Sequence, residues 1–207
     1  MNNQEGYNQW AATYDTVVNK TRDLEAIAFG EILSTISFSR VLELGCGTGK
    51  NTKWLSAHAK NVTAFDFSSE MVNKAKEKCT MHNVTFLQQD ISEKWVIAKT
   101  PFDLITASLV LEHIKNLDHI FNEATNALKQ QGCFYLGELH PFKQYEGSKA
   151  RFEKNGETLL LDCFTHHISD YFTTALNNGF ECIQLKEYFD EKAGGIPRLL
   201  SMLFRKK

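Results

Sequence analysis

Apolar positions along this chain alternate between two periods. From residue 5 to 35 the spacing is helical: EGYNQWAATYD is followed by DLEAIAFGEILSTI, where Leu24, Ile27, Ala28, Ile32 and Leu33 form a stripe. Val41, Leu42 and Leu44 then make a short apolar run that stops at Gly45, Gly47 and Gly49, which reads as a buried strand entering a glycine loop. KNTKWLSAHA returns to helical spacing through Trp54, Leu55 and Ala59. NVTAFDFS predicts a second strand ending at Asp66. Ser68 or Ser69 with Glu70 predicts the N-cap and first turn of a helix that turns Met71, Ala75 and Cys79 inward. VTFLQQD predicts a third strand ending at Asp90, with ISEKW as a short helix after it. A fourth strand over Phe102–Ala107 delivers Ser108 and Leu109 at its carboxyl end.

A helix over Leu117–Gln130, with Ile120, Phe121, Ala124, Ala127 and Leu128 on one face, stops before Gly132, and CFYLGEL follows as a fifth strand. The pattern then changes. ARFEK, Asn155-Gly156 and ETLLLDCF give a hairpin signal with a type I′ dipeptide, read as a small lid over 142–165. A helix with Ser169 as N-cap and Gly179 as C-cap, a sixth strand, and a seventh in PRLLSMLFRKK complete the series. Strand and helix in alternation predict an α/β fold, a Rossmann-like doubly wound sheet of seven strands with its ligand at their carboxyl ends.

Composition narrows the picture. The 207 residues, 43% apolar, suit one domain with a sizeable core, taken as 1–207 with a helical cap over 1–38. The net charge of −2 and the short final RKK do not form a nucleic-acid footprint. MNNQEGYNQW carries no signal-peptide pattern, and no run approaches the ~18 apolar residues needed to span a bilayer. Cys46, Cys79, Cys133, Cys163 and Cys182 are far apart and odd in number, which suits reduced thiols and a cytoplasmic protein.

The glycine loop carries the first chemistry, because glycines take positive φ and lack the Cβ that would hold a ligand away. A phosphate-binding P-loop fails on spacing: Leu44 stands where its first glycine belongs and Asn51 follows Lys50. The dinucleotide fingerprint fails at Lys50, and Glu43 just before the loop would repel a pyrophosphate. A ligand with ribose and adenine but a cationic sulfonium and ammonium would tolerate that carboxylate. S-adenosyl-L-methionine has this charge pattern. Asp66, about twenty residues beyond the first glycine, is placed to accept hydrogen bonds from a ribose diol.

VLELGCGTG resembles motif I of the class I S-adenosylmethionine-dependent methyltransferases, and DFSSEMVNKAK resembles that family's D-x-S-x-x-M-x-x-x-A. The resemblance extends to small-molecule enzymes of the ubiquinone and menaquinone type. It implies a seventh strand antiparallel beside the fifth. It implies a cofactor held by Gly45, Cys46 and Gly47, with Glu43 beneath the loop, Asp66 on the ribose, Phe67 and Met71 flanking the adenine, Asp90 on its amino group, the Ile91 backbone at the ring edge, and Ser108 in the same crevice. Tyr7, Trp10 and Tyr14-Asp15 resemble the family's lead-in, whose helix folds over the cofactor and brings a tyrosine such as Tyr14 to the methionine moiety.

On the acceptor side, Leu111-Glu112-His113 resembles the L-E-H ending after the fourth strand, Glu138-Leu139-His140-Pro141 the E-x-H-P of some small-molecule enzymes, and His166-His167 a pair near the acceptor. His140, His166 and His113 are the candidate bases. A metal held by His166, His167 and Asp170 has no further support, and none is expected. The expected activity is methyl transfer to a small-molecule O, N, S or C nucleophile, leaving S-adenosyl-L-homocysteine, by a monomer or homodimer with no nucleic-acid or membrane partner. The competing readings are a dinucleotide dehydrogenase and a non-catalytic module that binds the same cofactor.

Overall fold

A strand followed by a helix returns to its sheet in parallel, and that rule governs most of the molecule. The computed structural model describes residues 2–97, 100–154, 156–190 and 195–207. Two helices, α1 (Asn3–Trp10) and α2 (Lys20–Leu33), precede the sheet. Strands β1 (Arg40–Leu44), β2 (Asn61–Asp66), β3 (Val84–Gln88), β4 (Phe102–Ser108) and β5 (Leu128–Leu139) run parallel. The chain passes through α3 (Lys50–His58) after β1, α4 (Ser69–Lys78) after β2 and α5 (Leu117–Ala127) after β4. A one-turn helix α6 (Pro141–Tyr145) and the separate hairpin of β6 (Arg151–Lys154) and β7 (Glu157–Leu160) follow. Then come α7 (Ile168–Asn177), β8 (Phe180–Phe189) and β9 (Pro197–Lys206). The sheet order is β3-β2-β1-β4-β5-β9-β8, with β9 antiparallel to both neighbours. This is the Rossmann-like, seven-stranded, mostly parallel architecture expected.

The two-residue period of the strands sorts the core into two layers. Leu42, Leu44, Ile105, Ala107, Phe134, Leu136, Met202 and Phe204 pack with residues of α5 and α7 in one apolar cluster. Val41, Val62, Leu104, Tyr135 and Leu203 pack with Phe29, Ile32 and Leu33 of α2 and Leu55 of α3 in the other. By the same alternation Glu43 falls on the Val41 side, where Thr52 of α3 meets it.

Several local expectations change. Helix α5 ends at Ala127, because Leu128 turns extended and pairs with Phe102 as the first residue of β5. ISEKW forms a turn rather than a helix: Asp90 Oδ1 accepts from both the amide and the hydroxyl of Ser92, and Trp95 gives its amide to Glu123. His167, not Ser169, is the N-cap residue of α7, its amide donating to Asp170 Oδ2 at 2.8 Å. On α2 the stripe is rotated, so Ile27 is 63% exposed while Glu25 is buried beside Ala28 and Phe29. The hairpin forms, with Gly156 at φ +82°; Asn155, expected beside it in the turn, lies outside the described residues.

Candidate functional site

The site begins where β1 ends. Gly45 has φ +68° and a Cβ there would lie 2.5 Å from Val110 Cγ2, so both backbone and space demand glycine. Gly47 has φ +52°, and a Cβ at that position would meet nothing within 4 Å, which leaves its face of the loop open to a ligand. Its amide donates to Asp66 Oδ2 at 2.8 Å, and the amide of Ser68 donates to Oδ1 at 2.9 Å. Burial pushes the Asp66 carboxyl up to about 6 against the pull of these two amides. Glu43 is buried under the loop and accepts from Thr52 Oγ1 at 2.5 Å. Burial raises its carboxyl to about 8, with the acids Glu25 and Asp66 adding to the rise and the Thr52 hydroxyl opposing it. The repulsion expected between Glu43 and a pyrophosphate is therefore weaker than its formal charge suggests, since the group is largely protonated at neutral pH.

A cavity of about 610 Å³ opens at the carboxyl ends of β1 to β4. It gathers Gly45, Gly47, Asp66, Phe67, Met71, Asp90, Ile91, Ser108, Tyr14 and His113 from the expected set. A second cavity of about 270 Å³ adjoins it, sharing Tyr14, Gly45, Gly47, Ser108 and Leu109, and adds Glu43 and Cys46. All eleven residues expected to hold a cofactor thus line one or both. Cys46 is buried, and burial first among several causes holds its thiol well above its usual range, so it stays a neutral wall.

Helix α1 lies over this space. Gln4 Nε2 donates to the carbonyl of Phe67, and Asn8 Oδ1 accepts from the Ser68 hydroxyl at 2.7 Å. The lead-in after α1 is tied to the glycine loop by Thr48 Oγ1, which donates to Asp15. The hairpin closes the same roof. Phe152 stacks on Trp10 at 5.4 Å, and Asn3 exchanges two hydrogen bonds with the backbone of Asp162. Beneath the roof, Tyr7 Oη meets His113 Nε2 at 2.8 Å, and His113 Nδ1 meets the carbonyl of Asp162 at 2.8 Å. Glu112, His113 and Cys163 bring one possible metal-ligand atom each within 4.8 Å of one another, but both nitrogens of His113 already have hydrogen-bond partners.

The other two candidate histidines do not line the cavities. His140 caps α6: its Nδ1 accepts from the Phe142 amide at 3.1 Å and its Nε2 meets Glu187 Oε1 of β8 at 2.8 Å. His166 is buried with Nε2 on the carbonyl of Ile114 at 2.7 Å. His167 gives its amide to Asp170 Oδ2, and its ring Nδ1 meets the hydroxyl of Tyr145 at 2.6 Å. Of the three expected bases, His140 and His166 are thus held by protein partners away from both cavities, and His113 lines the larger one.

Two residues of the site, Glu25 and Arg22, were not foreseen, and two expected at strand ends, Leu109 and Glu138, take roles the sequence did not show. Glu25 reaches the second cavity from α2, accepting from Asn51 Nδ2 at 3.0 Å, and burial raises its carboxyl. A charge inside the 25, 28, 32 stripe was the available signal. Arg22, one turn earlier, lies over the Tyr14 ring at 4.2 Å and lines the same cavity. Leu109 holds φ +53° at the end of β4 and lines both cavities, a strained position that only tertiary structure reveals. Glu138 is buried behind it, its Oε1 accepting from the amides of Leu111 and Val110 at 3.0 and 3.3 Å. Burial raises its carboxyl well above the usual range, and it clasps the turn after β4.

Comparison with known proteins places this geometry. Residues 41–132 match the methyltransferase domain family. The chain is 30% identical over 172 residues to malonyl-[acyl-carrier protein] O-methyltransferase of Bacillus anthracis, covering 73% of this chain and 59% of that protein. It is 28% identical over 116 residues to ubiquinone biosynthesis O-methyltransferase of Coxiella burnetii, covering 54% of this chain and 48% of that one. The chain thus spans less than two thirds of the curated relatives it matches. Among solved structures, the DhpI complex with S-adenosylhomocysteine superposes with a TM-score of 0.79 at 23% identity, over 98% of this chain and 94% of that one. The N-methyltransferase NodS of Bradyrhizobium japonicum, also with S-adenosylhomocysteine, superposes at 0.76 and 18% identity, over 100% and 99%. At these identities the likeness is one of fold.

Proposed function

We propose that this chain, whose residues 41–132 carry a methyltransferase domain, transfers a methyl group from S-adenosylmethionine to a small-molecule nucleophile. The observation that carries the reading is the joined pair of cavities at the carboxyl ends of β1 to β4, where the open face of Gly47, the acids Asp66 and Asp90 and the Ser108 end of β4 converge. The residues fit the group. Gly47 leaves room for close approach, Asp66 offers acceptors for ribose hydroxyls, and Phe67, Met71 and Ile91 give apolar walls for a purine with Asp90 at its edge. The smaller cavity would suit a zwitterionic tail: Arg22 and Tyr14 would face a carboxylate, and Glu25 would accept from an ammonium. When bound, the sulfonium supplies an electrophilic methyl carbon. The protein's part is to hold a nucleophile in line at roughly 3 to 3.5 Å and keep water out, which the roof of α1 and the hairpin serves.

The net charge of −2 favours a small acceptor over nucleic acid, and the five free cysteines favour the cytoplasm. Among the described residues no helix is long and apolar enough to cross a membrane. Calorimetry with S-adenosylmethionine and S-adenosylhomocysteine tests the cofactor, and S-adenosylhomocysteine release across phenols, alcohols, amines, thiols and carboxylates tests the transfer. No binding of either nucleoside by the folded protein overturns the reading. Binding without release to any acceptor makes the chain a sensor of the cofactor instead.

A further inference from the structure

Tyr7 and His113 reach the larger cavity's wall from two elements distant in the chain, α1 and the short 3-10 turn at Leu111–His113, and they are bonded to each other. The direction of that bond follows from the contacts on the far side of the ring. Nδ1 of His113 lies 2.8 Å from the carbonyl of Asp162, which can only accept, and 3.3 Å from Asn3 Nδ2, which can only donate; the carbonyl is the closer and Asn3 Nδ2 has that same carbonyl at 2.9 Å as its better acceptor, so we assign the His113 proton to Nδ1. Nε2 is then a bare lone pair, and the Tyr7 hydroxyl donates into it. A hydroxyl whose proton is committed to a base presents its oxygen lone pairs to the cavity. The Tyr7 ring is held by Trp10 stacked at 5.8 Å, by Phe67 at 5.8 Å and edge-on by His113 at 5.4 Å, so the oxygen has little freedom to leave this position.

Resting on the methyltransferase reading, we propose that Tyr7 and His113 form a proton relay, with Tyr7 as the catalytic residue, and that the acceptor is a neutral small molecule bearing a hydroxyl group. Tyr7 Oη accepts the proton of the acceptor hydroxyl as its own proton passes to His113 Nε2. The acceptor oxygen uses the electron pair of its broken O–H bond to form the new carbon–oxygen bond, and the carbon–sulfur bond of the sulfonium donor breaks with its pair returning to sulfur. The positive charge leaves the sulfonium and ends on the imidazolium, so charge and atoms balance. The surroundings suit that end point. Glu112 Oε1 lies 4.0 Å from His113 Nε2, and the carbonyl of Asp162 accepts from Nδ1–H. The charged or titratable groups around the pair are Glu112 on its own turn, Asp66 at β2, Tyr14 after α1 and Cys163 beyond the hairpin, with Lys115 exposed at the rim. The two acids disfavour a carboxylate acceptor, which would need no base.

The test uses the whole protein. Nitrogen chemical shifts of ¹⁵N-histidine-labelled protein should show His113 as the Nδ1–H tautomer with Nε2 unprotonated, and Tyr7→Phe should shift the Nε2 resonance. Hydroxyl acceptors, phenols and alcohols, should release S-adenosylhomocysteine. Tyr7→Phe and His113→Asn should each lower kcat on the order of 10²-fold with KM and S-adenosylhomocysteine affinity within about threefold, and the double variant should be no slower than either. An Nε2–H tautomer, release only with carboxylates or with no hydroxyl acceptor, or a parental kcat in Tyr7→Phe overturns the relay. Loss of cofactor binding in the parental protein overturns the methyltransferase reading instead, and the calorimetry distinguishes the two failures.

Discussion

Gly47 and Asp66 are bonded to each other, the loop amide on the carboxylate at 2.8 Å, so the glycine turn after β1 and the acid that ends β2 form one unit. A parallel register that pairs Leu44 with Phe65 brings them together. The acid therefore holds the loop in addition to whatever it offers a ligand.

Asp66→Asn is expected to lower S-adenosylhomocysteine affinity about tenfold or more, since a charged acceptor is exchanged for an amide that must turn a donor toward one amide N–H. Because the carboxyl is pushed up to about 6, it is protonated below that pH, and parental affinity should fall as the solution is acidified through about 6. Calorimetry between about pH 5 and pH 8 checks both, within roughly a unit; flat affinity in parent and variant would remove Asp66 from the ligand.

The two glycines should fail differently. Gly45→Ala places a methyl 2.5 Å from Val110 and should prevent or cripple folding, read as a large fall in Tm. Gly47→Ala has space, so the protein should fold with a loss of about 1–2 kcal/mol from its positive φ, yet lose most cofactor affinity as the methyl enters the cavity. Equal affinity in a folded Gly47→Ala would mean that the ligand does not approach the loop.

Glu43 ties stability to pH. Its carboxyl sits at about 8 in the folded chain against 4.5 for the ordinary group, so the folded state keeps a proton that the unfolded state has released. Stability should accordingly be highest below about 4.5 from this group alone, and decline as pH rises toward about 8. Glu43→Gln keeps an acceptor for Thr52 and carries no charge. It should flatten the slope and melt higher than the parent at pH near 8, measured by thermal denaturation across the range.

His140→Ala should act on stability. It removes the cap of α6 and a partner of Glu187, a loss of about 1–2 kcal/mol, while S-adenosylhomocysteine affinity stays within about twofold. A variant as stable as the parent but slower in turnover would return this histidine to the acceptor side.

The glycine loop, Asp66 and Asp90 were legible in the sequence because each is local: a residue type at the end of an apolar run. The strand series was legible for the same reason, including the final strand that the resemblance turned antiparallel. What the sequence hid was set by distant partners. His140 follows the same strand as Glu138, but its ring is claimed by Glu187 from β8. Leu128 suits a helix or a strand equally, and pairing with Phe102 decides. Ile27 and Glu25 both fit a helical stripe within one step of rotation. Asn51, on α3, accounts for the inward turn of Glu25 by meeting its carboxylate. The Tyr7 and His113 pair joins residues more than a hundred positions apart, and no spacing rule reaches that far.

The reversed strand has a consequence for biosynthesis. β9 lies between β5 and β8, and among the described residues no other strand lies beside β8. While the ribosome is still delivering residues 197–206, β5 presents an open edge and β8 has nothing to pair with, although the cavity-forming strands β1 to β4 are already made. The nascent chain is thus most exposed to edge-to-edge aggregation until residues 197–206 are added, and its slowest folding step should be the insertion of one strand between two waiting ones.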